Sequence, residues 1–381
     1  MTIYYSSDIT ENSLKCFLKT LFYWKGSLWK AIYKELITWC LAYTTLSLIS
    51  RLALNKEQLL IFDKVCYLCY NFGSLLPVSF MLGFYVSLAL SRWQMVTDNL
   101  PFPDTLSIYI AEYVNGRDER SQFIRRSVAR YVATSQVLIF RDFSTKARKM
   151  FPSVDSIKEK GYLTEEEYQK LMLASTKTIA PWWIPVQWAL DLIISAEKEN
   201  RLNNGHFGVQ DCVKVILANR KLNHNLLILD WFPIPLAYTQ IVALTVRIYF
   251  WIACLGRQFL RSEPFSHMPT SKIDVYVPIL SIVQLIFFMG WLKVGEALVN
   301  PFGTDDDDSP VQFVLGRNLN AGLGIIDDGT EFKVKIVGDC FYKKPDFLDN
   351  EVVKRKSKIS LKIDTEQKNE TPNGMPNHSK L

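Results

Sequence analysis

Residues 65–91 contain no charged side chain over 27 consecutive positions, the longest of four apolar stretches from which charge is absent or nearly so. Residues 36–50 are likewise uncharged, residues 231–256 are interrupted only by Arg247, and residues 275–292 give 18 more uncharged positions dense in Ile, Leu, Val and Phe. A helix needs about 20 apolar residues to cross a bilayer, so the pattern predicts four membrane spans. A large soluble protein with buried helices is the alternative, disfavoured because four separate stretches approach bilayer length. Residues 95–230 instead alternate amphipathic segments with short breaks, the pattern of a helical region outside the membrane. Within it, Leu163-Thr164-Glu165-Glu166-Glu167 has the form of a capped helix start. Beyond about residue 343 the chain turns to Glu, Asn, Lys, Pro and Ser, a composition that predicts disorder.

The chain has 381 residues, 49% hydrophobic and 22% charged, which excludes disorder throughout. Lys15, Lys19, Lys25, Lys30 and Lys34 precede the first run and break every candidate for a cleaved signal peptide. They also predict a cytoplasmic amino terminus. Four spans return the carboxyl terminus to the same side, where Asn369 and Asn377 escape glycosylation. The predicted order is a cytosolic segment at 1–30, two spans in 31–94, a cytosolic helical region at 95–230, two spans in 231–299, an acidic loop and cytosolic wrap at 300–342 and a polar tail at 343–381. Lys354, Arg355, Lys356 and Lys358 open that tail; it is read as solubilising, with contact to anionic headgroups as the alternative.

Chemistry of the enzymatic kind has no visible home. Seven cysteines are an odd number, and Cys40, Cys66, Cys69 and Cys254 lie in the apolar runs, so no disulfide framework is expected. Cys66-x-x-Cys69 has metal or redox spacing but no second Cys or His pair near it. The four histidines are scattered, and no nucleophile elbow, P-loop or dinucleotide fingerprint occurs. In residues 95–230, 18 basic residues nearly balance 16 acidic ones, which gives no field for nucleic acid. Arg117, Arg120, Arg125, Arg126 and Arg130 could face an anion, but Asp118 and Glu119 stand beside them, and the run reads as a solvated or interhelical face.

Two groups of residues are more specific. Residues 76–85 read Leu76-Pro77-Val78-Ser79-Phe80-Met81-Leu82-Gly83-Phe84-Tyr85. Leu76, Phe80 and Phe84 recur every four positions, and Ser79, Gly83 and Ser87 form an adjoining small-residue stripe, so a helix here has two neighbouring faces. Small stripes let membrane helices approach closely, and an oligomer could set the apolar stripe of each subunit around one axis. Such a ring gates by admitting or expelling water, and phenyl edges present the positive rim that an anion prefers. Ordinary helix packing or lipid contact would give the same periodicity.

After the fourth run, Asn300-Pro301-Phe302-Gly303-Thr304-Asp305-Asp306-Asp307-Asp308-Ser309-Pro310 sets four carboxylates in a row. A hard divalent cation relieves their repulsion, and calcium accepts carboxylate and carbonyl oxygens in flexible geometry, which a turn at Pro301 and Gly303 could supply. It is not an EF-hand: counted from Asp305, the sixth residue is Pro310 and the twelfth Gly316. A solvated acidic loop is the alternative.

Together with Trp24-Lys25-Gly26-Ser27 and Gly290-Trp291-Leu292-Lys293-Val294, these residues resemble the bestrophins, calcium-activated anion channels. The resemblance runs from Met1-Thr2-Ile3 to about Asp328. It implies an all-α membrane protein with four transmembrane helices per subunit and a large helical cytosolic region. It also implies a homopentamer around one pore in the cell membrane, passing chloride and other small monovalent anions when cytosolic calcium binds. Carried over residue by residue, the neck falls at Leu76, Phe80 and Phe84 and a cytosolic aperture at Phe207. Calcium would be held by the Asp305 and Asp308 side chains and by the main-chain carbonyls of Thr10, Ala297 and Asn300. The chain departs from the family at Met150-Phe151-Pro152, where Arg-Phe-Pro is usual, at Thr304, where an acid is usual, and at Ala297, where a longer polar side chain is common. The alternative of another class is a calcium-binding membrane scaffold or regulator of other channels without conductance of its own.

Overall fold

Helix dominates each charge-poor run in the computed structural model, which describes residues 13–177, 180–262, 277–303, 305–306, 308–328, 334 and 336–338. In chain order the α-helices among them are α1 (Leu14–Leu21), α2 (Leu28–Leu52), α3 (Lys56–Leu75), α4 (Val78–Asp98), α5 (Asp104–Tyr113), α6 (Glu119–Phe143), α7 (Thr145–Met150), α8 (Val154–Glu159), α9 (Glu165–Ser175), α10 (Ile184–Lys198), α11 (Gly205–Trp231), α12 (Leu236–Gly256), α13 (Ile279–Val299) and α14 (Val311–Asp328). The chain divides into a unit at Met1–Thr330, which holds all of these helices, and a second at Glu331–Leu381. Thr10 and the whole polar tail at 343–381 lie outside the described residues.

Local chemistry sets the helix ends. The hydroxyl of Ser27 accepts the Lys30 N–H at 3.3 Å and starts α2. Thr164 and Glu167 form the predicted capping box of α9: Glu167 accepts the Thr164 N–H at 2.8 Å and donates its own N–H to the Thr164 hydroxyl at 3.4 Å. The 27-residue run, by contrast, is two helices rather than one. Pro77 offers no N–H and drives the preceding Leu76 into extended backbone (φ −79°, ψ 116°), so α3 and α4 meet at a 43° bend.

α12 and α13, 21 residues each, are long and apolar enough to cross a membrane, and the bent α3–α4 pair is a third candidate when taken as one span. α2 contains the first predicted run but also Lys30, Lys34, Glu35 and Arg51 among its 25 residues, which leaves it less apolar than these. Two or three helices, not four, therefore meet the length and composition of a span among the described residues.

Buried side chains fall into three groups. Ile32 and Trp39 of α2, Leu82 and Tyr85 of α4, Val246 and Phe250 of α12 and Leu285 and Met289 of α13 close the apolar bundle. There α13 approaches α4 through Gly295, where a Cβ would lie 2.7 Å from the Tyr85 ring. Leu106 of α5, Val128 of α6, Ile193 of α10 and Ile216 of α11 make a second core. The third joins the carboxyl half of α6 to α7, α8 and α9, and draws in Phe302, Val311 and Leu315 from the segment that follows α13. The acidic loop is thus pinned between the apolar bundle and the helices of the 95–230 region.

Candidate functional site

α4 buries Val78, Leu82, Tyr85 and Ala89 in the bundle and turns Phe80 and Phe84 outward, 65% and 59% exposed in the single chain. Their rings, one turn apart, form an edge-to-face pair with centroids at 4.8 Å and planes at 68°. Ser79, Gly83 and Ser87 lie exposed beside them, and a methyl on Gly83 would meet nothing within 4 Å. Both stripes are open surface in the single chain. Leu76, the third predicted neck position, is not on this helix: it is the connector residue before Pro77, half-buried against the bundle core.

At the end of α13 the chain reverses. The residue four beyond Ala297 is Pro301, which has no N–H to give to the Ala297 carbonyl. Gly303 donates to the Asn300 carbonyl at 3.3 Å, and Ser309 closes the loop by donating to Pro301 at 2.8 Å. Asp308 is 4% exposed. Its Oδ2 accepts the Asp305 N–H, and the Lys146 ammonium stands 3.9 Å away. A Cβ on Gly303 would come within 3.0 Å of that same oxygen, so the carboxylate folds over a residue that has to be small.

Asp306 points elsewhere. It accepts the Gly26 N–H at 3.2 Å and pairs with the Lys30 ammonium, and that ammonium holds its carboxyl below the usual range. Thr304 and Asp307 lie outside the described residues. A cavity of about 350 Å³ is lined by Ala297, Asp305 and Asp306, and one of about 160 Å³ by Ala297 and Asp308. No cluster of three or more His, Cys, Asp or Glu side chains is placed for a metal among the described residues. A cation here would be held by Asp305, Asp308 and backbone carbonyls, an all-oxygen donor set that fits a hard ion such as calcium. The contact of Asp306 with α2 escaped the sequence reading, although a signal for it exists: the Gly26-Ser27 helix start presents N–H groups that favour a carboxylate.

Phe207 stands in the first turn of α11, 76% exposed, on an element separate from the neck helix.

The family model described as "Bestrophin, RFP-TM, chloride channel" matches residues 1–328. The chain belongs to the bestrophin family. It is 36% identical to Bestrophin homolog 24 of Caenorhabditis elegans over 365 residues, which is 95% of this chain and 56% of that protein. It is also 36% identical to human Bestrophin-1 over 346 residues, 91% of this chain and 58% of that protein. The chain therefore spans little more than half the length of these relatives. A crystal structure of a variant of the bacterial bestrophin homolog from Klebsiella pneumoniae shares the fold, with a TM-score of 0.57 and 19% identity over 77% of this chain and 99% of that one. The description of the family is that of a chloride channel, not of an enzyme.

At the Arg-Phe-Pro position of the bestrophins, Met150 keeps its carbonyl on the Lys160 ammonium at 2.6 Å, Pro152 accepts from Arg141 at 3.0 Å, and Phe151 is buried. Phe151 also meets Tyr162 edge to face at 5.7 Å, so the turn is held although Met replaces Arg. The arginine run is interhelical, as expected, but its partners are remote rather than adjacent. Arg120 pairs with Glu199, Arg126 with Asp327 and Arg130 with Glu167, while Arg125 donates to the Val114 and Gly116 carbonyls. Asp118, expected to pair within the run, precedes α6 in extended backbone, and its carboxylate meets Ser121 and Arg201 instead. Cys66 and Cys69 are free thiols.

Proposed function

We propose that this chain is one subunit of a calcium-activated anion channel, a homopentamer whose axial pore passes chloride and other small monovalent anions across the cell membrane. α2, the bent α3–α4 pair, α12 and α13 serve as its four spans, with both termini cytoplasmic. The observation that carries the reading is α4: one face is locked into the bundle while Phe80 and Phe84 face outward beside a stripe of small residues. Five such helices packed on Ser79, Gly83 and Ser87 enclose a ring of phenyl groups, with Leu76 of each connector at its mouth. A ring of this kind resists wetting when narrow and offers ring edges, not carboxylates, to an ion. Phe207 lines the second, cytosolic constriction.

Asp305, Asp308 and the carbonyls of Thr10, Ala297 and Asn300 would hold the calcium, which would supply the positive charge that relieves the repulsion within the acidic loop. Asp308 contributes a buried carboxylate already folded over Gly303. Pro301 leaves the Ala297 carbonyl without its helical donor. The loop continues directly from α13, which packs on the neck helix through Gly295 and Tyr85, so a change in the loop reaches the wall of the pore through rigid helix.

The test is purified protein in chloride-loaded vesicles with calcium titrated outside. Chloride release that rises with calcium supports the channel. Vesicles that bind calcium and retain their chloride would instead support the scaffold reading.

A further inference from the structure

Arg92 is the charge that ends the 27-residue uncharged run, and the structure gives it an unusual set of partners. It sits on α4, two turns beyond Phe84, and among the described residues its hydrogen bonds go to backbone carbonyls of two other helices. Nε donates to Val299 at 3.3 Å, one terminal nitrogen to Leu229 at 2.5 Å and the other to Phe232 at 3.4 Å. Val299 is the last residue of α13 and immediately precedes Asn300. Leu229 lies in the last turn of α11 and Phe232 caps that helix.

These acceptors are carbonyls that helix geometry leaves wanting. The last four carbonyls of a helix have no N–H donor within the helix, and the residue four beyond Leu229 is Pro233, which cannot donate at all. A guanidinium fits the place because its planar fork carries several donors in fixed directions and its charge suits helix carboxyl ends. A second tie runs alongside: Asn225 of α11 donates to Asn99, which caps α4, at 2.7 Å.

On the channel reading above, on which this inference rests, the three helices that meet at Arg92 are the neck helix, the helix that begins at the aperture residue Phe207, and the helix that ends at the calcium loop. We infer that Arg92 is the linkage through which the calcium loop moves the neck. It is a positioning residue that binds neither calcium nor the anion. A shift of the α13 terminus, caused when the loop tightens, is delivered through the Val299 carbonyl to the α4 backbone above it, and the fork keeps the α11 terminus in step. The Gly295–Tyr85 packing transmits sideways pressure between α13 and α4, whereas Arg92 also transmits pull.

The experiment uses the full chain in chloride-loaded vesicles and reads two quantities on the same preparation: radioactive calcium retained and chloride released at saturating calcium. Arg92→Gln should still bind calcium to saturation, while release falls by about tenfold or more, the size of a lost coupling between sites. Adding Ala at Leu76, Phe80 and Phe84 should restore release, because a gate that cannot close needs no linkage. Arg92→Lys, which keeps the charge but loses the fork, should fall between. Release by Arg92→Gln equal to the unaltered protein overturns the inference, as does loss of calcium binding in parallel with release, or failure of the alanine neck to restore it. If Arg92→Gln does not assemble, Arg92→Lys decides: activation equal to the unaltered protein overturns the linkage. Unaltered protein that ignores calcium is a separate failure, which removes the channel reading itself.

Discussion

Four consecutive aspartates are chemically identical in the sequence, and the fold gives the described ones different tasks. Asp308 is buried under the loop and receives the Asp305 N–H, whereas Asp306 reaches back to Gly26 and Lys30. One short turn cannot aim four successive side chains at one ion, so replacing them in turn should give unequal results. Asp308→Ala and Asp305→Ala remove a ligand oxygen and a compensating charge, and should each raise the calcium needed for half-maximal chloride release by about tenfold or more. Asp306→Ala removes a partly exposed ion pair and one backbone contact, and should shift the same midpoint by no more than about fivefold. Equal shifts at Asp306 and Asp308 would mean that the loop acts only as a diffuse negative field. Family resemblance implied Asp305 and Asp308 as a calcium pair; what the fold shows of them is that the Asp305 N–H meets the Asp308 carboxylate. That Asp306 anchors α2 was not, because the contact spans 280 residues and periodicity reports only neighbours.

At the scale of elements, the hydrophobic pattern located the apolar helices but concealed the joint within the longest run. A count of uncharged residues cannot register that Pro77 withholds a donor and forces Leu76 out of the helix. The consequence is mechanical: α4, the proposed neck helix, begins at Val78 and is joined to α3 by a 43° bend rather than by continuous helix. Replacing Leu76, Phe80 and Phe84 together with Ala should widen the constriction and leave chloride release running without calcium, as a flux assay in chelator would register. A triple variant that stays shut in chelator would place the gate elsewhere.

The helices of the 95–230 region depend on a different bond. Burial pushes the Glu167 carboxyl upward, but two donors from Arg130, the Thr164 N–H and the Tyr131 hydroxyl outweigh it and bring it down to about 2. Because its folded value is depressed, the stability it contributes is present above the ordinary carboxylate value near 4.5 and is lost as pH falls toward 2. Glu167→Gln should remove that dependence and lower the melting temperature at pH 7, since it leaves the largely buried Arg130 guanidinium without its counter-charge, a loss on the order of 3 kcal/mol. The melting temperatures of the two proteins should draw closer together as pH is lowered from 7 to 3. The capping box of α9 was legible in Thr164 and Glu167; the Arg130 partner on α6 was not, because Asp118 and Glu119 were nearer in sequence.

At the scale of the whole molecule, the channel reading makes the single chain one part of a ring. Phe80, Phe84 and Phe207 are 65%, 59% and 76% exposed, and an aromatic stripe beside small residues is what a neighbouring copy would cover. If the proposed homopentamer forms, the detergent-purified complex should weigh five copies of the 44.0 kDa chain, as single-particle mass measurement can determine. Its selectivity follows from what the ring presents. A cation path is lined by carboxylates or carbonyl dipoles, but the proposed neck offers Leu and Phe side chains, whereas Asp305, Asp306 and Asp308 belong to a loop tied to Ser144 through Phe302 and to Gly26 and Lys30 through Asp306. The favourable electrostatics at a phenyl ring lie at its edge, where the positive rim meets an anion, and hydrophobic walls admit most readily an ion that gives up its water at least cost. Under a chloride gradient with sodium matched on both sides, the reversal potential should follow chloride, and with chloride matched it should ignore sodium. A reversal potential that follows sodium instead would mean that the aspartates, not the phenyl ring, line the narrow part of the path.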